Sequence, residues 1–167
     1  MDYSIGEMTY NISCFGELHP LKYFKQFTTY QNIQLSNKKS KDYRIEYTTP
    51  SIEIYSLKLC DTKIVDTIKG TSLEGQHLSG KNLIILGNIN MSLILKYENT
   101  NKKCKRNKHK KNKILNIMLP FSTFIVIPNY DSNEERINLR YFVEDVSVKL
   151  NQSKIFVSVT MLMQYLE

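Results

Sequence analysis

The chain has 167 residues, of which 41% are hydrophobic and 23% are charged, a composition typical of a globular domain that can bury its own core. No apolar run approaches the roughly 20 residues that a membrane-spanning helix needs, so we expect a protein that is not transmembrane. The first residues lack the basic start and apolar stretch of a secretion signal, which predicts that the protein stays in the compartment where it is made.

Residues 1–23 are predicted to form an N-terminal arm, because their apolar side chains are scattered and their periodicity is weak. Tyr10, Ile12 and Cys14 alternate with polar neighbours, which suits a short strand. One interpretation is a poorly ordered tail. The other is an arm that adds a strand to the sheet of a neighbouring subunit, since edge strands accept extended segments readily. The apolar residues that such an assembly arm would use are Tyr3, Ile5, Tyr10 and Ile12.

The next third of the chain alternates short strand patterns with breaks. Leu21–Leu35 is ambiguous between a strand and a short helix, because its large apolar residues fall near helical spacing while its Thr and Tyr residues favour strands. Arg44–Thr48 and Ser51–Lys58 alternate clearly and predict two strands separated by Pro50. Lys63–Ile68 predicts one more short strand.

The glycine-rich segment Gly75–Lys81 has the glycine and lysine spacing of a phosphate-binding loop. Such a loop needs Ser or Thr next to hold magnesium and a helix to complete the phosphate cradle. Asn82 follows instead, and Leu83–Tyr97 alternates as a long strand, or as two strands that meet at a kink at Gly87. We therefore interpret the glycines as a connection between strands and expect no nucleotide cofactor.

A basic run from Asn101 to Lys113 contains eight Lys or Arg residues and no acidic residue. The whole chain has 23 basic and 16 acidic residues, so 15 basic and 16 acidic residues remain without the run, and the net charge of +7 belongs to this segment alone. Since it lies between two apolar strands, we predict an extended hairpin loop. The loop either does nothing or attaches to an anionic partner, and an acidic protein ranks above nucleic acid because no aromatic residue is present to stack bases. Its candidate partner-binding residues are Lys102, Lys103, Lys105, Arg106, Lys108, Lys110, Lys111 and Lys113.

Three extended segments follow. Phe121–Ile127 is apolar on both faces, and Pro120 and Pro128 are predicted to bracket it. In Ile137–Leu150 the apolar positions alternate and then change parity across Glu144-Asp145, so a bulge or bend is expected at that pair. Ile155–Met163 resumes the alternation as a returning strand.

Together these patterns predict a mainly β fold, an antiparallel β-sandwich or partly open barrel with at most one short helix. Short strands with turn signals between them, and segments that are apolar on both faces, favour two packed sheets over one open sheet.

No catalytic constellation emerges from the reactive side chains. His19, His77 and His109 lie in loop-like segments without a nucleophile motif. Cys14/His19 and Cys104/His109 repeat one spacing, but neither pair has the closer spacing of common structural zinc sites. Glu144 and Asp145 are neighbours on a strand, where side chains normally point to opposite faces. We expect no enzyme activity, no small-molecule substrate, no metal and no cofactor.

Three cysteines, Cys14, Cys60 and Cys104, make an odd number in a chain without an export signal. Reduced thiols of a cytosolic protein are one interpretation. Intermolecular disulfides through Cys14 and Cys104, which lie in polar surroundings, are the other.

Several ordered motifs resemble the SPOCS domain of clostridial sporulation proteins, and they cover most of the chain from about Phe24 onward. The matching segments are Phe24–Phe27, Ile64–Thr67, Gly70–Gln76, Leu78, Gly80-Lys81, Pro120–Ile125, Val143–Val148 and Lys154–Val157. The resemblance implies one β domain over residues 24–167, with residues 101–113 as a basic insertion, similar to the short single-domain members.

The resemblance also implies a non-enzymatic structural protein of the outer layers of a bacterial spore, such as coat, exosporium or appendage. It would be made in the mother-cell cytoplasm, then move to the spore surface, and act by self-association or by docking other coat and morphogenetic proteins. Intermolecular disulfides could then form after the mother cell lyses. A monomeric adaptor that binds an acidic coat-scaffold partner through the basic loop is the alternative, and a nucleic-acid binder is a third class.

Overall fold

The computed structural model describes residues 9–14, 21–35, 43–61, 80–97, 112–127, 136–151 and 153–166. These residues form two packed β-sheets and contain no helix, which confirms the predicted mainly β, sandwich-like fold. The strands are β1 Thr9–Cys14, β2 Tyr23–Gln34, β3 Tyr43–Tyr47, β4 Ser51–Asp61, β5 Lys81–Tyr97, β6 Lys113–Ile127, β7 Arg136–Asn151 and β8 Lys154–Leu166. In the part of the chain that is described, no helix is long and apolar enough to span a membrane.

The two sheets have different layouts. The first has the order β1-β7-β8-β2, and in it only β1 and β7 run parallel. In the second, β5 is central, β6 lies along one side, and β3 and β4 follow one another along the other side, all antiparallel. The second sheet thus agrees with the antiparallel prediction throughout, and the first departs from it at β1.

The core lies between the sheets and follows from residue alternation. Along β6 the odd-numbered side chains from Ile117 to Ile127 are buried, and nearly all of the even-numbered ones are exposed. Burying one face of each strand removes apolar surface from water, which stabilises the fold by about 25 cal/mol for each Å² buried. The largest of the fully buried side chains are Leu83, Ile85, Ile89, Leu93, Leu95, Leu119, Ile125, Ile127, Ile137, Leu139, Ile155 and Met161.

Gly87 lies inside β5, which continues through it as a single strand. Of the two predictions for this segment, the single long strand is confirmed, and the alternative of two strands that meet at Gly87 is wrong. An added Cβ at Gly87 would lie 2.5 Å from the Glu53 carbonyl oxygen and 2.7 Å from Cζ of Phe121. Gly87 is thus required by the close approach of neighbouring atoms.

Pro120 lies within β6, so the prediction that it opens the strand is wrong. Its carbonyl oxygen accepts a hydrogen bond from Thr29 Oγ1 of β2 at 3.1 Å. In an antiparallel strand the N and O atoms of one residue point to the same side. The missing N–H therefore faces β2 across the gap between the sheets and removes nothing from the β5–β6 ladder, as is usual for proline in an edge strand.

The parity change at Glu144-Asp145 is a β-bulge, as predicted, because the β7–β8 register shifts between Val143 and Asp145. A second register shift, between Ile54 and Ser56 of β4, was not predicted. The ambiguous segment Leu21–Leu35 forms the strand β2 and no helix. The predicted strand Lys63–Ile68 lies outside the described residues, as does Pro128.

Candidate functional site

The basic run of residues 101–113 connects β5 to β6, which are adjacent antiparallel strands, so it joins the two arms of a hairpin as predicted. Lys113 is exposed at the start of β6, opposite Leu95. The other basic residues proposed for partner binding lie outside the described residues, as does Cys104. Binding by this loop stays a prediction.

The N-terminal arm is described from Thr9 to Cys14, and Tyr3 and Ile5 lie outside that range. Tyr10 and Ile12 belong to β1, a strand that the alternation predicted. This strand pairs in parallel with residues Arg136 to Tyr141 of β7 in the same chain. Addition of the arm to a neighbouring subunit's sheet stays a prediction, and within one chain the arm completes its own sheet.

Two tyrosine hydroxyls from the first sheet reach the outer edge of β4 in the second. The Tyr10 hydroxyl donates to the Ile54 carbonyl oxygen at 2.7 Å, and the Ile52 backbone forms a hydrogen bond with Tyr141. Burial raises the pKa of Tyr141, and Cys14 beside it raises the pKa further, while the Ile52 hydrogen bond acts in the opposite direction. These contacts occupy backbone groups at which another strand could otherwise pair.

The edge of β7 beyond β1 is different. β1 reaches only to Tyr141, whereas β7 continues to Asn151, and from Val143 onward its side away from β8 pairs with no strand of the described residues. The inward-facing side chains of this segment are half-buried, although the β8 residues opposite them are fully buried. The three pairs are Val146 with Val159, Val148 with Val157, and Leu150 with Ile155. We call Val143–Asn151 the open edge.

The outer face of the second sheet carries large apolar side chains from β6. Ile114, Met118 and Phe124 are 64%, 57% and 46% exposed. The sequence pattern that was apolar on both faces therefore places one set of side chains in the core and the other on the surface. The Lys25 Nζ atom of β2 lies 5.2 Å from the centre of the Phe124 ring. The lysine side chain therefore covers part of this ring.

A shallow cleft of about 460 Å³ lies on the same face, near the connection from β3 to β4. Hydroxyl and amide side chains line it together with Met118. The Ser92 hydroxyl donates to Asn116 Oδ1, and Thr48 Oγ1 accepts from the Ser92 amide, both at 2.9 Å. Its lining side chains are neutral, so the cleft offers hydrogen bonds and hydroxyl groups, and no charged acid or base lines it to activate those hydroxyls.

Candidate metal ligands do not cluster in the part of the chain that is described. No group of three or more His, Cys, Asp or Glu residues there could hold a metal ion. Of the two repeated Cys and His pairs, only Cys14 is described. Both described cysteines, exposed Cys14 and half-buried Cys60, are free thiols.

Comparisons with protein-family models, with curated proteins and with solved structures found no match to this chain. The resemblance to the SPOCS family stays a prediction from its motifs.

The open edge of β7 was missed by reasoning from sequence. The parity change at Glu144-Asp145 located the bulge at its start, but a pattern of alternation does not show which side of a strand is paired. A signal was nevertheless available. The residues after the bulge, Asp145-Val-Ser-Val-Lys149, have an acid and a base at equal distances from a central serine.

Proposed function

We propose that this protein is a non-enzymatic assembly subunit, which associates with further protein molecules through its strand edges. The observation that carries the proposal is the open edge of β7, Val143–Asn151. Unpaired N–H and C=O groups along a strand edge form a ladder with any suitable extended segment. A second strand there would also cover Val146, Val148 and Leu150, which the fold leaves half-buried.

We infer the place of assembly from the resemblance to SPOCS domains. That resemblance favours an outer layer of a bacterial spore, namely the coat, the exosporium or an appendage. The chain would be made in the mother-cell cytoplasm, where thiols stay reduced. Release into an oxidising medium would then permit disulfides between subunits. Exposed Cys14, at the end of an edge strand, is suited to such a link.

Electron microscopy of the purified full-length protein tests the proposal, with and without reductant. We expect polymers or regular oligomers, and these should resist dissociation more strongly without reductant than with it. In a Cys14→Ser variant this difference between the two conditions should be smaller. Cys60→Ser serves as the matched control, because that thiol is half-buried. Gold labelling on intact spores of the source organism should fall on the outer layers. Dispersed monomers in every condition, together with labelling confined to the cytoplasm, would contradict the proposal.

A monomeric adaptor is the alternative, favoured by the concentration of basic residues in the hairpin loop between β5 and β6. Electrostatic attachment to an acidic coat-scaffold protein needs no strand pairing. Changing the lysines from Lys103 to Lys113 to glutamine should abolish binding of an acidic coat protein and leave self-association unchanged. Glutamine at Lys58 and Lys154, exposed lysines on other strands, is the control. Equal loss of binding in both variants would rule out a specific role for the loop.

A further inference from the structure

The open edge of β7 contains a symmetric pattern of charge. Asp145, Ser147 and Lys149 lie opposite Thr160, Ser158 and Phe156 of β8, so they share the outer face of the sheet. Val146 and Val148 between them face inward, opposite buried Val159 and Val157. Around Ser147 the sequence is therefore balanced, with a valine on each side, then an acid before and a base after.

From this pattern we infer that a second copy of the chain pairs with the open edge, β7 against β7, antiparallel and with Ser147 at a two-fold axis. Two identical strands in antiparallel pairing are related by such an axis, which is the commonest symmetry of soluble homodimers. The axis at Ser147 puts Asp145 opposite Lys149 of the second copy, and Lys149 opposite Asp145 of the second copy. It also puts each Val146 opposite a Val148.

Other registers lose these contacts. An axis at Asp145 puts two carboxylates opposite one another, and an axis at Lys149 does the same with two ammonium groups; like charges opposite one another destabilise a sheet. An axis at Val146 or Val148 leaves both charges without an opposite charge. A slip by a single residue would place inward-facing valines opposite outward-facing charges. Charge complementarity therefore selects the register centred on Ser147.

The length of the open edge agrees with this register. Pairing about Ser147 places Asp145 opposite Lys149 of the second copy, and because the bulge adds one residue at Glu144, Val143 then comes opposite Leu150, which faces inward as Val143 does. The shared ladder therefore starts just past Tyr141, the last partner of β1, and ends close to the end of β7. The bulge at Glu144 lies near each end of the ladder, where bulges commonly end pairing. The second strand would also cover the half-buried Val146, Val148 and Leu150.

This inference rests on the proposed function and adds the occupant and the register. Reversing one charge, by Asp145→Lys or Lys149→Asp, converts two attractive pairs into two repulsive ones. We expect each single reversal to raise the dimer dissociation constant about tenfold, measured by sedimentation equilibrium on the full chain. The double variant exchanges the two charges and restores both pairs, so its constant should return to within about threefold of the original.

Matched controls carry the same change of charge away from the open edge. Asp61→Lys and Lys58→Asp both lie on β4, exposed and in the other sheet, and neither should change the dissociation constant by more than about twofold. Circular dichroism should show the same strand content and thermal midpoint in all variants. Single reversals without effect, or a double variant that stays as weak as the single ones, would overturn the register.

A second test uses cross-linking and does not depend on charge. In a chain whose own cysteines are changed to serine, Ser147→Cys should form a disulfide-linked dimer under mild oxidation, because Cβ atoms opposite one another in a sheet are about 5 Å apart. Ser158→Cys, one strand further from the axis on the same face, should not. Cross-linking of both variants or of neither would contradict the inference. If the chain still assembles and labels spore outer layers, the proposed function stands and only this register fails.

Discussion

Gly87→Ala is the substitution for which sequence preference and structure predict opposite signs. Glycine in the middle of a strand costs about 0.5–1 kcal/mol relative to alanine, because its backbone loses more freedom on folding. From that preference alone, Gly87→Ala in β5 would stabilise the protein. The structure predicts destabilisation instead, because the new Cβ would lie 2.5 Å from the Glu53 carbonyl oxygen.

The magnitude follows from what must move. On one side of Gly87 the obstacle is backbone, and on the other it is the Phe121 ring, whose Cζ and Cε1 atoms lie 2.7 and 2.8 Å from the added Cβ. Phe121 is nearly buried and stacks on Phe27 at 5.2 Å between ring centres, so a displaced ring would disturb the contact between β6 and β2. Overpacking of this kind typically costs about 1–3 kcal/mol, which exceeds the gain in backbone entropy.

Urea denaturation followed by far-UV circular dichroism measures this cost, since the chain has no tryptophan for fluorescence. We expect Gly87→Ala to lower the free energy of unfolding by about 2 kcal/mol, and the dependence of that free energy on urea concentration should stay unchanged. Ser122→Ala, exposed on β6, is the control and should change it by less than about 0.5 kcal/mol. In the Phe121→Leu background the cost should shrink but persist, because the Glu53 carbonyl remains. A Gly87→Ala protein as stable as the original would refute the reasoning.

Three further predictions concern the side of the sandwich where β1 and β4 meet. Tyr10→Phe should lower the free energy of unfolding by about 1 kcal/mol in urea denaturation, because the Ile54 carbonyl oxygen loses its 2.7 Å hydrogen bond. Burial and Cys14 raise the pKa of Tyr141 above its ordinary value of 10.0, so the folded state holds the hydroxyl proton more tightly than the unfolded state does. Stability is therefore lost as the pH rises from the unfolded pKa through the folded one. Tyr141→Phe should therefore show a shallower loss of stability between about pH 9 and pH 11, and equal slopes would contradict the assignment. In the native protein, exposed Cys14 should react with a thiol reagent faster than half-buried Cys60, as mass spectrometry of labelled peptides would show; the reverse order would place β1 elsewhere.

Strand positions could be predicted from sequence because alternation is a local property. The period of two in Arg44–Thr48, Ser51–Lys58 and Ile155–Met163 predicts strands that the structure contains as β3, β4 and β8. The parity change at Glu144-Asp145 predicts its bulge for the same reason. In each case the pattern lies within a few neighbouring residues, and no knowledge of the pairing partner is needed.

Pairing partners could not be predicted in this way, because they depend on contacts between distant parts of the chain. Nothing local in β1 indicates that it lies parallel to β7, whose residues are more than a hundred positions away. Pro120 was misinterpreted for a related reason: it ends a strand only where its N–H would be needed, and here that side faces β2. Within the described residues, the open edge exists because β1 is shorter than β7, and the length of a pairing depends on both strands.

Hydrogen–deuterium exchange at several protein concentrations tests most directly whether association occurs through the open edge. Amides that form hydrogen bonds between subunits exchange more slowly as the fraction of protein in the dimer rises. We predict that protection of Val143–Asn151 rises with concentration, while β5, already paired on both sides, keeps the same protection throughout. Exchange of Val143–Asn151 that does not depend on concentration, in a sample that sedimentation shows to be associated, would contradict the account.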